Sequence, residues 1–140
     1  MKLFGTFGIL LVFLIGLSHS IKPSDKCVQD ITQQRIPEKC RIHCLYKAYK
    51  FVNKFSVNDE QIEHFKNILV THNGIEPDKA DQVKQHIKSC AEAAMASISN
   101  MPKYPPSREI VERKCDIISG FFGCVVDNKN VKVKGYETAI

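Results

Sequence analysis

The chain has 140 residues, six cysteines and a formal charge of +5, with 20 Lys and Arg against 15 Asp and Glu. That length suits one domain with a core of its own. Only seven glycines occur, three of them before residue 20, and neither G-x-S-x-G nor H-E-x-x-H nor a phosphate-cradling loop is present, so no enzyme is expected.

Residues 1–20 read as a secretory signal peptide: Lys2 is the basic start, Leu3 to Leu17 is almost wholly apolar, and Ser18-His19-Ser20 is the small-residue cleavage site. The apolar run, roughly 15 residues, is short of the roughly 20 that a membrane span needs. The domain is therefore expected over residues 21–140, secreted, with a basic C-terminal tail. All six cysteines fall in this part, and an oxidising destination predicts three disulfides, each worth about 2–4 kcal/mol. No Asn-x-Ser/Thr sequon is present.

Lys22-Pro23-Ser24-Asp25 reads as a turn, and the following CVQDITQQRI as a short, weakly determined helix that ends before Pro37. The spacing then predicts a main helix from Glu38 to about Phe55. Asn58 is a plausible N-cap with Gln61 at the third helical position, and Ile62, Phe65, Ile68 and Leu69 recur at helical spacing until Asn73-Gly74. Pro77 and Asp78 start the next helix, with Ala80, Val83, Ile87, Cys90, Ala91, Ala94 and Ile98 as its buried stripe. The proline-rich NMPKYPPS, residues 100–107, is the clearest break, and Ser107 caps a last helix with Ile110, Val111, Ile117, Ile118, Phe121, Phe122 and Val125 on its apolar side. In the tail, Val131 and Val133 alternate with polar residues, which predicts a short strand or an extended arm. The whole is an all-α domain of five or six helices.

Charge is unevenly spread. Residues 35–54 hold six basic side chains against Glu38 alone, while the middle of the chain is acidic. On a continuous helix over Cys40 to Phe55, His43, Lys47, Lys50 and Lys54 fall within about 60° of one another, beside an apolar face of Cys40, Cys44, Ala48, Phe51, Val52 and Phe55. Such a stripe is a candidate polyanion site, supported by Lys39 and Arg41 and by Lys129, Lys132 and Lys134 of the tail. A solvated amphipathic face is the competing reading. Protonation of His43, near its ordinary pKa of about 6.5, would add charge only in mild acid. Tyr46 and Tyr49 flank the lysines and read as rim packing. His64, His72 and His86 are scattered and C-x2-C spacing is absent, so neither a metal nor any cofactor is expected.

Six cysteines admit many pairings. Cys40 and Cys44 are one helical turn apart and point at the core, so each more plausibly reaches a different neighbour. Cys115 and Cys124 on one helix would lie roughly 13 Å apart, beyond the roughly 7 Å a disulfide spans. Spacing alone leaves several pairings open.

An all-helical secreted chain with C-x3-C on one helix and C-x8-C on the last resembles the insect odorant-binding-protein superfamily, although the interval from Cys27 to Cys40 is shorter, and that from Cys90 to Cys115 longer, than olfactory members show. The short first interval leaves little chain to wall an odorant cavity. PSDKC, CRIHCLYKAYKFVN, HNGIEPDKADQVKQHIKSC with its AEAA continuation, and KCDIISGFFGCVVD look like the fifteen-kilodalton-class odorant-binding-like salivary proteins of blood-feeding sand flies. The resemblance implies the pairs Cys27–Cys44, Cys40–Cys115 and Cys90–Cys124. It also implies a role at the bite, where members are linked to binding the anionic surfaces and polymers that trigger contact-pathway clotting. Heparin-like polysaccharide, dextran sulfate and polyphosphate are the expected partners, nucleic acid is not, and a monomer is expected. The rival reading is a carrier that holds a host amine or lipid mediator, or an odorant, in a helical cavity.

Overall fold

The computed structural model describes residues 21–103 and 107–132, which form five α-helices: α1 (Pro23–Thr32), α2 (Arg41–Ala48), α3 (Asp59–Thr71), α4 (Ala80–Ser99) and α5 (Arg108–Val126). Single 3-10 turns, Glu38–Cys40 and Pro77–Lys79, lead into α2 and α4. The proposed signal peptide lies outside the described residues, as do Tyr104, Val133 and Lys134. Among the described residues the only pairing of extended backbone is one antiparallel bridge, Asn53 with Ser56.

Local chemistry accounts for the starts of these helices. Pro23 stands at the first position of α1, where its missing N–H costs nothing, so the segment expected as a turn is the helix's own first turn. Asn58 caps α3 reciprocally: its side chain accepts from the N–H groups of Glu60 and Gln61 while Gln61 Oε1 accepts from Asn58 N–H at 3.1 Å. Ser107 Oγ accepts from Ile110 N–H at 3.2 Å to open α5.

Three helices stop by one device, in which a left-handed residue just beyond the end lets two N–H groups fold back onto the last turn. Gln34 serves α1, Lys50 serves α2 and Asn73 serves α3, at φ of 57°, 62° and 55°. After α2, Lys50 N–H donates to Lys47 O at 3.1 Å and Phe51 N–H to Tyr46 O at 2.8 Å, the paired bonds of a Schellman motif. The expected helix from Glu38 to Phe55 is therefore shorter, ending at Ala48. Phe51 and Val52 still reach the core, but from a turn, while Ala48 faces solvent.

The helices neighbour one another in the spatial order α1, α2, α5, α4, α3. Val83, Ile87, Cys90, Ala91 and Ala94 of α4 meet Ile118, Phe121 and Val125 of α5, and Ile62, Phe65 and Leu69 of α3 complete the core. Tyr46, only 3% exposed, lies inside with its ring edge-on to those of Phe51, Phe65, Phe121 and Phe122. Phe51 stacks on Phe65 with centroids 4.1 Å apart. Tyr46 and Tyr49 are thus core residues and not rim packing: Tyr46 packs among four phenylalanines and Tyr49 against Phe51. Beyond α5, Val131 is buried and Lys132 N–H donates to Gly74 O at 2.6 Å, seating the start of the tail on the end of α3 without forming a strand.

Three disulfides join these elements: Cys27–Cys44 ties α1 to α2, Cys40–Cys115 ties the turn before α2 to α5, and Cys90–Cys124 ties α4 to α5. They are the pairs the resemblance implied. No helix among the described residues is long and apolar enough to cross a membrane.

Candidate functional site

The chain leaving α2 makes two tight reversals within seven residues, at Lys50 and at Lys54, both left-handed. The second is a two-residue turn, Lys54-Phe55, closed by Asn53 N–H to Ser56 O and Ser56 N–H to Asn53 O, each 2.9 Å. Histidines hold this segment from both sides. His43 Nε2 bonds the carbonyl of Lys54, and His64 Nε2 bonds that of Tyr49 at 2.9 Å. A carbonyl only accepts, so each Nε2 carries the proton. The His43 ring also lies flat on Phe55, centroids 4.1 Å apart and planes 9° from parallel, and Lys114 of α5 places Nζ 5.6 Å from the same ring.

His43 is therefore half-buried and bonded to the main chain, not presented to solvent with the lysines. Burial is the largest influence on its pKa and lowers it, opposed by the bond to Lys54 O and assisted by the nearby charge of Lys47. It positions Lys54 as a neutral imidazole.

Lys47, Lys50 and Lys54 are all exposed. Lys47 and Lys50 form one wall of a groove of 740 Å³ whose other wall is the first turns of α3, with Glu60, Glu63 and Asn67. Glu63 is already engaged by Lys66 and by Lys84, the latter at 2.6 Å, and these two ammonium groups hold its carboxyl down to about 2. Among the described residues no carboxylate lies within 4.0 Å of Arg41, Lys47, Lys50 or Lys54. The cations of the acidic middle differ: Lys66, Lys79, Lys84 and Lys88 all have such a neighbour.

The remaining expected residues are scattered. Lys39 pairs with Asp116 at 3.7 Å, and Arg41, at the start of α2, edges a different pocket lined by Ser24, Ile42, Leu45, Tyr46, Tyr49 and Phe122. Lys129 and Lys132 gather with Lys79 and Glu76 around the turn before α4, and Lys134 lies outside the described residues. Lys114 and Glu60 were not anticipated, since only the packing of α5 and α3 brings them to the turn. His86, Cys90 and Cys124 approach one another closely, but both sulfurs are spent in one disulfide and His86 Nε2 bonds Cys124 O at 2.8 Å.

The fold and the turn together define a small, disulfide-linked all-α domain that displays exposed lysines with no carboxylate within 4.0 Å among the described residues. Its relatives are sand fly proteins. The chain is 27% identical to "Ayaconin" of Lutzomyia ayacuchensis over 143 residues, covering 96% of this chain and 90% of that protein. It is 24% and 23% identical to "Salivary protein 15a" and "Salivary protein 15b" of Phlebotomus duboscqi, each over 141 residues, all of this chain and 94% of theirs. No protein-family model matches the chain.

Proposed function

We propose that this is a secreted salivary protein, non-catalytic and monomeric, that occupies anionic polymers or surfaces through Lys47, Lys50 and Lys54 and so opposes contact activation of clotting. Its scaffold is read as odorant-binding-like. The observation that carries the proposal is unpaired charge on a fixed turn: Lys50 and Lys54 stand exposed at positive φ, and among the described residues no carboxylate lies within 4.0 Å of either or of Lys47. A side chain there costs about 1 kcal/mol or more relative to glycine, a cost Gln34 also bears at the end of α1, so what sets Lys50 and Lys54 apart is their charge. Folding alone would favour Gly or Asn at both positions. Keeping lysine at both, exposed and without a carboxylate nearby, is what a cation-presenting turn requires. The names of the salivary relatives support secretion at the bite.

Replacing Lys50 and Lys54 together by glycine separates fold from function. Thermal stability should hold or rise, by up to about 1 kcal/mol per site, while retention on immobilised heparin falls. For the unaltered protein, three to five contacts should cost about one to three powers of ten in affinity between roughly 50 and 200 mM salt, and the variant's salt slope should be shallower. Inhibition of dextran-sulfate-triggered clotting should weaken in parallel. The matched control neutralises Lys79 and Lys88 to Gln; equal loss in both variants would assign binding to net charge, and no loss in either would end this reading.

A further inference from the structure

We propose that Cys124 is a modification site, at which a small-molecule thiol enters the Cys90–Cys124 disulfide by exchange, in a groove between α4 and α5 that shares no lining residue with the lysine turn. Of the six cysteines Cys124 alone is exposed: Cys27, Cys40, Cys90 and Cys115 are at most 3% exposed and Cys44 is half-buried. Exchange begins when a thiolate attacks one sulfur of a disulfide, so access to that sulfur decides which bond reacts first. The access here is built into α5. Gly120 and Gly123 stand one turn and one residue before Cys124, and a Cβ placed on either would meet nothing within 4 Å outside its own helix backbone and chain neighbours. Glycine inside a helix weakens it relative to alanine, and what these two leave is open space beside the disulfide. The groove, 260 Å³ in volume, takes in Gly120, both cysteines, Ala93, Ser97 and Ile117.

Burial sets the direction of attack. With Cys124 Sγ as the target, the inner sulfur, Cys90 Sγ, is the leaving group, and His86 Nε2 stands 3.6 Å from it. His86 lies one turn before Cys90 on α4, and its Nε2–H serves the carbonyl of Cys124 at 2.8 Å in the intact disulfide. A thiolate is a charged acceptor and draws an N–H more strongly than a carbonyl does, so the donation turns from Cys124 O to Cys90 Sγ as the S–S bond breaks. A leaving sulfur stabilised in this way departs faster. In the full step the thiol gives its proton to solvent, its sulfur bonds to Cys124 Sγ, the Cys90–Cys124 bond breaks, and the Cys90 thiolate takes up a proton from solvent. The incoming sulfur is oxidised and that of Cys90 reduced, so the thiol is the sole co-reactant. The packing of Val83, Ile87 and Ala94 against Ile118, Phe121 and Val125 still holds α4 on α5, which keeps Cys90 in place to expel the adduct again.

The test exposes the disulfide-intact protein to 2-mercaptoethanol, a small uncharged thiol, at one fixed pH, stops exchange with acid and locates the adducts by peptide mapping. The first adduct should sit on Cys124, with Cys90 as the free thiol, and should form about tenfold or more faster than any on Cys27, Cys40, Cys44 or Cys115. His86→Leu should slow it roughly three- to tenfold, whereas His86→Gln, which keeps an N–H donor, should retain more of the rate. Gly120→Leu, which fills the groove beside the disulfide, should slow the Cys124 adduct by a similar factor. Exchange at Cys27–Cys44 should run at the same rate in every variant, which separates an effect on this site from a loosened fold. The order of adducts in the unaltered protein needs no variant to fold. A first adduct on Cys44 or Cys90, or a Cys124 rate in His86→Leu or Gly120→Leu equal to that of the unaltered protein, would overturn the proposal.

Discussion

His43 donates to the carbonyl of Lys54 and lies flat on Phe55, and this bond makes it the residue that connects pH to the basic turn. Its folded-state pKa is lowered from 6.5, chiefly by burial, so the fold favours the neutral ring. The corresponding stability is complete above the unfolded value of about 6.5 and is lost as pH falls from there through the lower folded value. Melting temperature should accordingly decline between pH 7.5 and pH 5, and His43→Gln should decline less steeply over that window. Identical slopes would show that His43 does not carry the effect. The acid-induced gain of cationic binding expected from the sequence should then be absent at His43, whose proton is the one the fold resists.

At the scale of the element, α3 is the acidic wall facing the lysines. Glu60 stands in the groove with Lys47 and Lys50, and among the described residues it has no cation within 4.0 Å. Its charge opposes any polyanion laid along the turn. Glu60→Gln should raise heparin affinity roughly two- to fivefold, the scale of one exposed charge interaction, with the difference fading at high salt. A loss of affinity would mean that the carboxylate itself accepts from the ligand. The starts of α3, α4 and α5 were legible in the sequence because each has its own chemical mark: Asn58 with Gln61, Pro77 before the 83-87-90-94 stripe, and Ser107; that of α1, at Pro23, was read as a turn. The end of α2 was not legible. A lysine in the left-handed position carries no mark that distinguishes it from a helical lysine, and Phe51, Val52 and Phe55 continue a helical spacing by coincidence. The lysines expected on one straight helical stripe instead stand on a folded turn, Lys47 on α2 and Lys50 and Lys54 at left-handed positions beyond it. Glu60, Lys114 and the pocket beside Arg41 arise from tertiary packing, which no local pattern records.

For the molecule as a whole, the disulfides differ in what they hold. The loops they close span 17, 75 and 34 residues, and α1 contributes nothing to the core beyond its own cysteine. Replacing Cys27 and Cys44 by Ser should cost at most about 3 kcal/mol, the chain-entropy value for a loop of this size, and leave cooperative melting and heparin retention in place. Amide exchange should accelerate across Pro23–Thr32 alone. Collapse of the entire domain would show instead that α1 is integral to it.

The other two disulfides have a bearing on what an enzyme in blood or saliva can do to this molecule. Lys103 is exposed, in the proline-containing connection between α4 and α5, and offers a trypsin-like protease a ready bond. Yet Cys40–Cys115 and Cys90–Cys124 each join a residue before that bond to one after it. A cut there divides the polypeptide into two chains that cannot part, and the lysine turn stays whole in the first of them. The nick becomes visible only when a reductant is added, since until then two disulfides hold the halves together.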